Sequence, residues 1–539
     1  GMKEQQQLGK FRDPSALILS ILICFGTLAL VIKKAMTGTG GLFIYPVDDA
    51  YIHMEIAKNI ALHGNWGINA SEFGSASSSP LYTIILSIFF ILFSPNIYIP
   101  FIVNCLAGLL LLYVIWRWLT KHGINRLQQI VILLLVVFLT PLPLLMFCGM
   151  EHTLQCLFSF LFLFGFADWL QANNEKQTKL PWTIFLYAIF TATIRYEGLF
   201  LVGMAGLALL YQRRIGTAIT LGAVAALPLV IFGAYSVAQG SYFLPNSVLV
   251  KSEAAQFTAG GMAHAVGHII AERLVFSKSG IALLAVQRLL FILPIAYFTL
   301  TRPVQVAYRF ILLALTGTAL LQLTLADTGK FYRYEGYLIV AATVLLCVLV
   351  LKHWKERLSA PHRGLQWLVY FIVFFLFLPI IFRSLTANNK LAQASVNIYD
   401  QQYQMTLFIQ KFYDNGVVAA NDIGAISYFT NARIVDLWGL GDIDIARSKK
   451  GGYWTPAFLD SFCRKQNTDI AIIYDSWIDQ SIPPQWKKTA EWKIQNNVVC
   501  GDDYVSFYAV DTTHTSELRK NLETFSESLP KTVTVTYFE

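Results

Sequence analysis

Between residues 14 and 385 one long apolar segment follows another, and this succession limits the fold more than any other feature of the chain. The runs lie at 14–32, 98–116, 127–146, 153–170, 181–195, 197–212, 215–235, 280–300, 306–325, 336–351 and 365–385. Each is long enough, or nearly so, to cross a bilayer core, which takes about 20 helical residues. In lipid the backbone must satisfy its own polar groups, so such spans are helices. Composition agrees: 14% of residues are charged, against about 25% in an ordinary soluble protein. The aromatic content of 14% suits belts at the membrane interfaces. A disordered chain, a collagen-like repeat and a small disulfide scaffold are excluded. The pattern predicts a polytopic α-helical membrane protein with about eleven spanning helices.

Gly1 ahead of Met2 reads as an expression-tag scar and is set aside. Lys10 and Arg12 precede the first run, and no small-residue cleavage site follows closely, so that run is a membrane helix and not a removed signal peptide. The run Pro80–Phe93 is shorter and closes with Ser94, Pro95 and Asn96. Read as a re-entrant or juxtamembrane helix in the first external loop, it leaves Arg117, Lys121 and Arg126 on the inside. The cytoplasmic loops then hold 16 Lys/Arg against four acids, Glu4, Asp13, Glu175 and Glu356. That bias puts the N-terminus in the cytoplasm.

From Thr386 the character changes. Val417–Ala420, Arg433–Leu437, Asp469–Tyr474 and Tyr504–Val510 read as short strands, with helical stretches such as Tyr403–Tyr413 between them. The division predicted is a transmembrane domain at 1–385 and a soluble α/β domain at 386–539. After an odd number of crossings the second lies outside the cytoplasm. The formal charge of +8 is split unevenly: residues 386–539 hold 14 Lys/Arg and 18 Asp/Glu, so the membrane part is strongly basic. A basic membrane part suits an anionic bilayer or phosphate-bearing lipids. Its charges sit between apolar segments and form no continuous stripe, which argues against nucleic acid. Cys463 and Cys500 are the only cysteines in the soluble part; an oxidising compartment would allow a bond between them, with a pair of free thiols as the alternative.

Under this topology the unusual polar residues fall on the external side. Asp48-Asp49 lies in the first external loop, and Glu151 within Gly149-Met150-Glu151-His152-Thr153. The tetrapeptide Arg-Tyr-Glu-Gly occurs twice, at Arg195–Gly198 and Arg333–Gly336, both at helix entrances. Pro245-Asn246 and Lys251 occupy a further external loop. Ionisable groups gathered at membrane level mark a functional site by default. Each also has a plainer reading. Adjacent acids at a helix start serve as caps, and the Arg and Glu of each tetrapeptide form interfacial ion pairs. His53 follows Asp49 by four residues and shares its helical face, yet these groups lack metal-ligand spacing.

The stretch Asp48-Asp49-Ala50-Tyr51-Ile52, continuing through Ala57-Lys58-Asn59-Ile60-Ala61 and Gly64–Asn69 to Ser77-Ser78-Ser79-Pro80-Leu81-Tyr82, resembles the first external loop of GT-C class glycosyltransferases. It is most similar to the branch holding the terminal arabinofuranosyltransferases that build bacterial cell-envelope arabinans. Gly149-Met150-Glu151, Asn421-Asp422-Ile423-Gly424 and Val435–Leu440 fit the same branch.

The resemblance implies a polyprenyl-phosphate-linked sugar donor and a glycan, lipid or protein acceptor, joined at the external face of the bacterial cytoplasmic membrane. By family position Asp49, or its neighbour Asp48, is the catalytic base that takes the acceptor proton. A lipid-phosphate leaving group wants cations, and Arg195, Lys251, Lys330 and Arg333 are placed to supply them. Glu151 and Glu197 then bind sugar hydroxyls or hold the arginines, with His53, Asn246 and Glu335 as further supporting residues. A single displacement inverts the anomeric centre. Some relatives in the wider class use a divalent metal; no ligand cage stands out here, and no other cofactor is implied. The competing functions are a polymerase or ligase of lipid-linked glycans and an envelope-lipid transporter or flippase. A transporter places its substrate site near the midplane, whereas these charges gather at the external surface.

Overall fold

The computed structural model describes residues 13–173, 178–251, 280–300, 305–357 and 363–539, without the side chains of 250, 251, 354–357, 363, 365 and 366. Among the described residues eight helices are long and apolar enough to cross a membrane, from Ser15–Gly38 to the continuous helix Trp367–Phe412. Four shorter apolar helices accompany them: Pro80–Phe93, Arg126–Leu139, Trp182–Ile194 and Gly198–Tyr211. The chain is a polytopic α-helical membrane protein carrying a C-terminal α/β unit.

The shorter helices have local causes. The run 127–146 breaks into Arg126–Leu139 and Leu142–Phe147, because Pro141 and Pro143 cannot extend the helical ladder. Trp182–Ile194 and Gly198–Tyr211 are joined only by Arg195-Tyr196-Glu197. At 1.5 Å per residue these two helices rise about 20 Å each, well short of a ~30 Å hydrocarbon core. Arg195, at the apex of this hairpin, is 5% exposed. Gly198 permits the tight joint, since a Cβ there would collide with the Thr191 carbonyl.

The first loop is anchored inside the protein. Its helix Asp49–His63 ends at Gly64 in the left-handed conformation and packs on Pro80–Phe93. Ser79 caps the second helix by accepting the Tyr82 amide, and Pro80 fills the first helical position. Two of the serines before it are engaged: Ser79 Oγ donates to the Ile194 carbonyl at 2.6 Å, and Ser77 Oγ lies 3.2 Å from His53 Nδ1.

The last membrane helix, Arg363–Ile398, runs on through a π turn at Tyr399–Tyr403 into Gln404–Phe412. The expected boundary at 385/386 thus falls inside a helix. Beyond it, six strands form one sheet in the order β2-β1-β3-β5-β4-β6: β1 Val417–Ala420, β2 Arg433–Asp436, β3 Ile470–Ile473, β4 Lys487–Lys493, β5 Tyr504–Ala509 and β6 Thr534–Tyr537. β1 pairs in parallel with β2 and β3, and the other pairings are antiparallel. Phe408, Trp492, Phe507 and Phe525 pack on one face, and Leu459, Phe462 and Cys463 on the other. The predicted cysteine pair does not form: both thiols are free. Cys463 is buried on the core-facing side of its own helix, Pro456–Lys465, whereas Cys500 packs toward the membrane-domain core and donates to Gln402 Oε1 at 3.4 Å.

Candidate active site

Both Arg-Tyr-Glu-Gly copies converge on one cluster at the helix mouths, and they play different parts in it. In the first copy the arginine and glutamate bond each other. Arg195 Nε and Nη2 donate to the two carboxylate oxygens of Glu197 at 3.1 and 2.5 Å, while Nη1 donates to Glu151 Oε1 at 2.9 Å. Its guanidinium carbon stands 4.4 Å from the ring centre of Tyr334, the tyrosine of the second copy. Arg195 is fully committed within the protein, between the buried Glu151, the largely covered Glu197 and an aromatic face.

In the second copy the same residues part company. Arg333 Nη2 donates to Asp49 Oδ2 at 3.1 Å and Nε to the Lys330 carbonyl at 2.7 Å. Its Nη1 is buried and unpartnered among the described residues. Glu335 instead accepts from Arg383 Nε at 2.5 Å and from the Gly329 amide at 2.8 Å. Arg383, which the sequence reading missed, also donates to the Leu139 and Tyr332 carbonyls. The Glu335 and Arg383 side chains are fully buried.

Between Gly329 and Arg333 the backbone turns through the left-handed region. Gly329, Lys330, Phe331 and Tyr332 have φ of 79°, 41°, 62° and 61°. Glycine enters this region freely, but each other residue is disfavoured there by about 1–2 kcal/mol. The turn persists because Glu335 and Arg383 hold its two ends, and it aims Arg333 at Asp49. Lys330, on the turn, pairs with Asp327 at 3.3 Å and has a half-exposed side chain.

Asp48 and Asp49 separate by environment. The Asp49 side chain retains 27% exposure, against 0% for Glu151 and 13% for Glu197. Asp48 is buried and does not cap its own helix. It reaches across to the soluble unit, where Oδ2 and Oδ1 accept the Gly424 and Ala425 amides at 2.6 and 2.8 Å. These open the short helix Gly424–Phe429, so Asp48 caps a helix 376 residues away. Any side chain at 424 would strike the Asp48 backbone and carboxylate. Burial, followed by the neighbouring Asp422 carboxyl, pushes Asp48 well above the usual carboxylate range.

The remaining candidates surround this cluster. His53 Nε2 lies 3.5 Å from Glu151 Oε2, and His152 stacks on Tyr334 with 5.3 Å between ring centres. Asn246 is buried with both amide atoms unpartnered among the described residues, although its backbone bonds the Ser75 carbonyl. The Lys251 side chain lies outside the described residues. A cavity of about 260 Å³ borders Ser78, Arg195, Glu197, Ser247, Asp327 and Tyr334 on its polar side, with Leu and Val side chains opposite. A second, of about 340 Å³, lies across the strained turn, between Lys330, Ile281 and Val498-Val499 of the soluble unit. Among the described residues no His/Cys/Asp/Glu group has metal-site geometry.

Residues 396–508 match the model of a domain of unknown function, DUF8728. No curated protein sequence matches the chain. Two solved structures share its fold along nearly the whole length. ArnT from Cupriavidus metallidurans bound to undecaprenyl phosphate superposes with a TM-score of 0.50 at 12% identity, covering 93% of this chain and 99% of that one. The apo state of the same ArnT gives 0.51 at 11% identity, covering 92% and 98%. The architecture is therefore of the ArnT-like GT-C type. The identities are too low to carry over more than the fold.

Proposed function

We propose that the chain is a polyprenyl-phosphate-sugar-dependent glycosyltransferase acting at the external face of the bacterial cytoplasmic membrane. The observation that supports this reading most directly is the Asp49–Arg333 pair: a carboxylate open to solvent, held by an arginine whose Nη1 has no protein partner among the described residues. An anionic ligand would satisfy that nitrogen, and a lipid phosphate is the anion bound by the ArnT of the same fold. Lys330 lies on the same turn and supplies a second, mobile charge. Arg195, spent on Glu151 and Glu197, shapes the wall of the adjoining cavity instead of gripping phosphate.

The mechanism follows from these placements. Donor sugar enters the cavity beside Arg195, where Ser78, Glu197 and Ser247 offer hydrogen-bond partners for hydroxyls. Arg333 and Lys330 receive the phosphate and stabilise the charge that grows there as the anomeric bond breaks. Asp49 takes the proton of the acceptor hydroxyl as it attacks from the opposite face, giving inversion. Arabinofuranose is the first sugar to test, on the first-loop resemblance, with hexoses as the alternative. The test is single-turnover transfer by purified full-length protein given polyprenyl-phosphate-linked sugars. Asp49→Asn should keep donor binding and lose ~10²–10⁴ in turnover, the usual contribution of a general base. Near-wild-type chemistry in the folded Asn variant would remove Asp49 from that role.

A further inference from the structure

Asp48 and Asp422 come together where the first loop touches the soluble unit: Asp48 takes the amides of Gly424 and Ala425, just after Asp422 in the chain, and the two carboxyls act on each other. Asp422 Oδ2 also accepts from Gln402 Nε2 at 2.8 Å and lies 3.1 Å from the Tyr474 hydroxyl. That hydroxyl stands closer to Gln401 Oε1, at 2.6 Å. Both Asp48 oxygens already accept amides. Two carboxylates this close in a buried site cannot both ionise without strong repulsion, and a single proton between them turns repulsion into a hydrogen bond.

Among the described residues no cation pairs with either carboxyl; Lys58, farther along the first-loop helix, bonds Glu55 and the Tyr428 carbonyl. The first-loop helix presents Asp49 and Tyr51, and the helix Gly424–Phe429 presents Tyr428. The π turn presents Asp400 and Tyr403, β3 ends at Tyr474, and the loop before β5 brings Cys500 and Asp503. All are acids or neutral groups at neutral pH. The arginine that reaches this end of the first loop, Arg333, bonds Asp49.

We propose that Asp48 and Asp422 share one proton across the interface, forming a latch through which the soluble unit positions the first loop and sets Asp49 against Arg333. Asp422 is then a positioning residue, and the soluble unit is part of the site's framework. The latch stands on its own geometry, and only its effect on turnover rests on the function proposed above.

The sign of its pH dependence follows. A carboxyl protonated in the folded state but ionised when unfolded gives stability that declines as pH rises above the ordinary carboxylate pKa of about 4, until the folded pair gives up its proton. Within that window each pH unit changes the folding constant tenfold, which lowers the melting temperature by roughly 3–5 °C in a domain of 150–250 residues. In Asp422→Asn the amide donates to Asp48 and its oxygen accepts from Gln402, so no proton is needed.

The experiment is thermal unfolding of the detergent-purified full chain between pH 5 and 9, for wild type, Asp422→Asn and Asp422→Leu, beside donor turnover. The proposal expects a falling melting temperature in the wild type and a distinctly flatter profile in the Asn variant. It also expects turnover within about threefold of wild type for Asn, with an alkaline decline that is weakened, and at least a tenfold loss for Leu. Parallel pH profiles of wild type and Asn variant would overturn the shared proton. Equal turnover in all three proteins would overturn the positioning role. If the wild type turns over no sugar donor while the stability profiles differ as expected, the function reading fails and the shared proton stands.

Discussion

Glu335 and Arg383 allow stability and function to be separated, because the structure gives their ion pair two jobs. Their side chains are completely buried, and Glu335 also accepts the amide of Gly329 while Arg383 bonds the Tyr332 carbonyl. Removing one partner, as in Glu335→Ala, leaves a buried guanidinium uncompensated, at a cost of about 3–5 kcal/mol. The turn they hold carries three non-glycine residues in the left-handed region, worth about 3–6 kcal/mol of strain by the usual penalty. The pair and the strain are of similar size, so losing the pair should let the turn relax. The double variant Glu335→Met/Arg383→Met has no charge to strand and should recover most of the lost stability. It should not recover donor binding, because Arg333 is aimed by the turn. Thermal unfolding and donor titration of the wild type and these two variants measure both effects. A double variant with wild-type donor affinity would refute the claim that the strained turn positions Arg333. A Glu335→Ala variant as stable as wild type would refute the ion pair's structural weight.

Other outcomes follow from the same contacts. Arg333→Ala should weaken donor binding by ~10–100-fold, the order expected for one charge-assisted hydrogen bond, whereas Arg333→Lys should recover only part of it; donor titration decides. Arg195→Ala should act chiefly on folding, since it strands Glu151 and Glu197, and detergent melting curves should show a larger loss than for Arg333→Ala. Gly424→Ala should cost roughly 1–3 kcal/mol, as for an overpacked core, and lower turnover by displacing Asp48; an unchanged melting temperature would mean that the loop and the short helix do not meet as described.

The fold was legible where one principle dominated. Apolar runs of bilayer length announce helices whatever surrounds them, and β1, β3 and β5 were visible as apolar stretches. β4 escaped because Lys487-Lys488-Thr489-Ala490-Glu491-Trp492-Lys493 is largely polar, with Trp492 inserted into the core from a charged strand. Arg383 escaped because it lies within an apolar run, where a single charge was absorbed as part of the span. Its partners come from Leu139, Tyr332 and Glu335, far away in the chain. An intramembrane arginine is costly enough that it ought to have been read as a residue with a partner to find.

The repeated tetrapeptide shows why the site needed three dimensions. Both copies offer an arginine two residues before a glutamate at a helix entrance, and local geometry allows the two to pair. In the first copy they do, because Glu151 approaches from the neighbouring helix and completes a net of three charges. In the second copy two rivals intervene: Arg383 claims Glu335, and Asp49 claims Arg333. Identical sequence therefore yields a closed ion network in one place and, in the other, a buried arginine with one nitrogen unpartnered among the described residues. The same logic divides Asp48 from Asp49. Adjacent on one helix start, they diverge because the soluble unit supplies two amides and a second carboxyl to the first and leaves the second facing solvent and Arg333. The chemistry assigned to Asp49 thus depends on a domain more than 350 residues away in sequence, which closes over its neighbour and leaves it exposed.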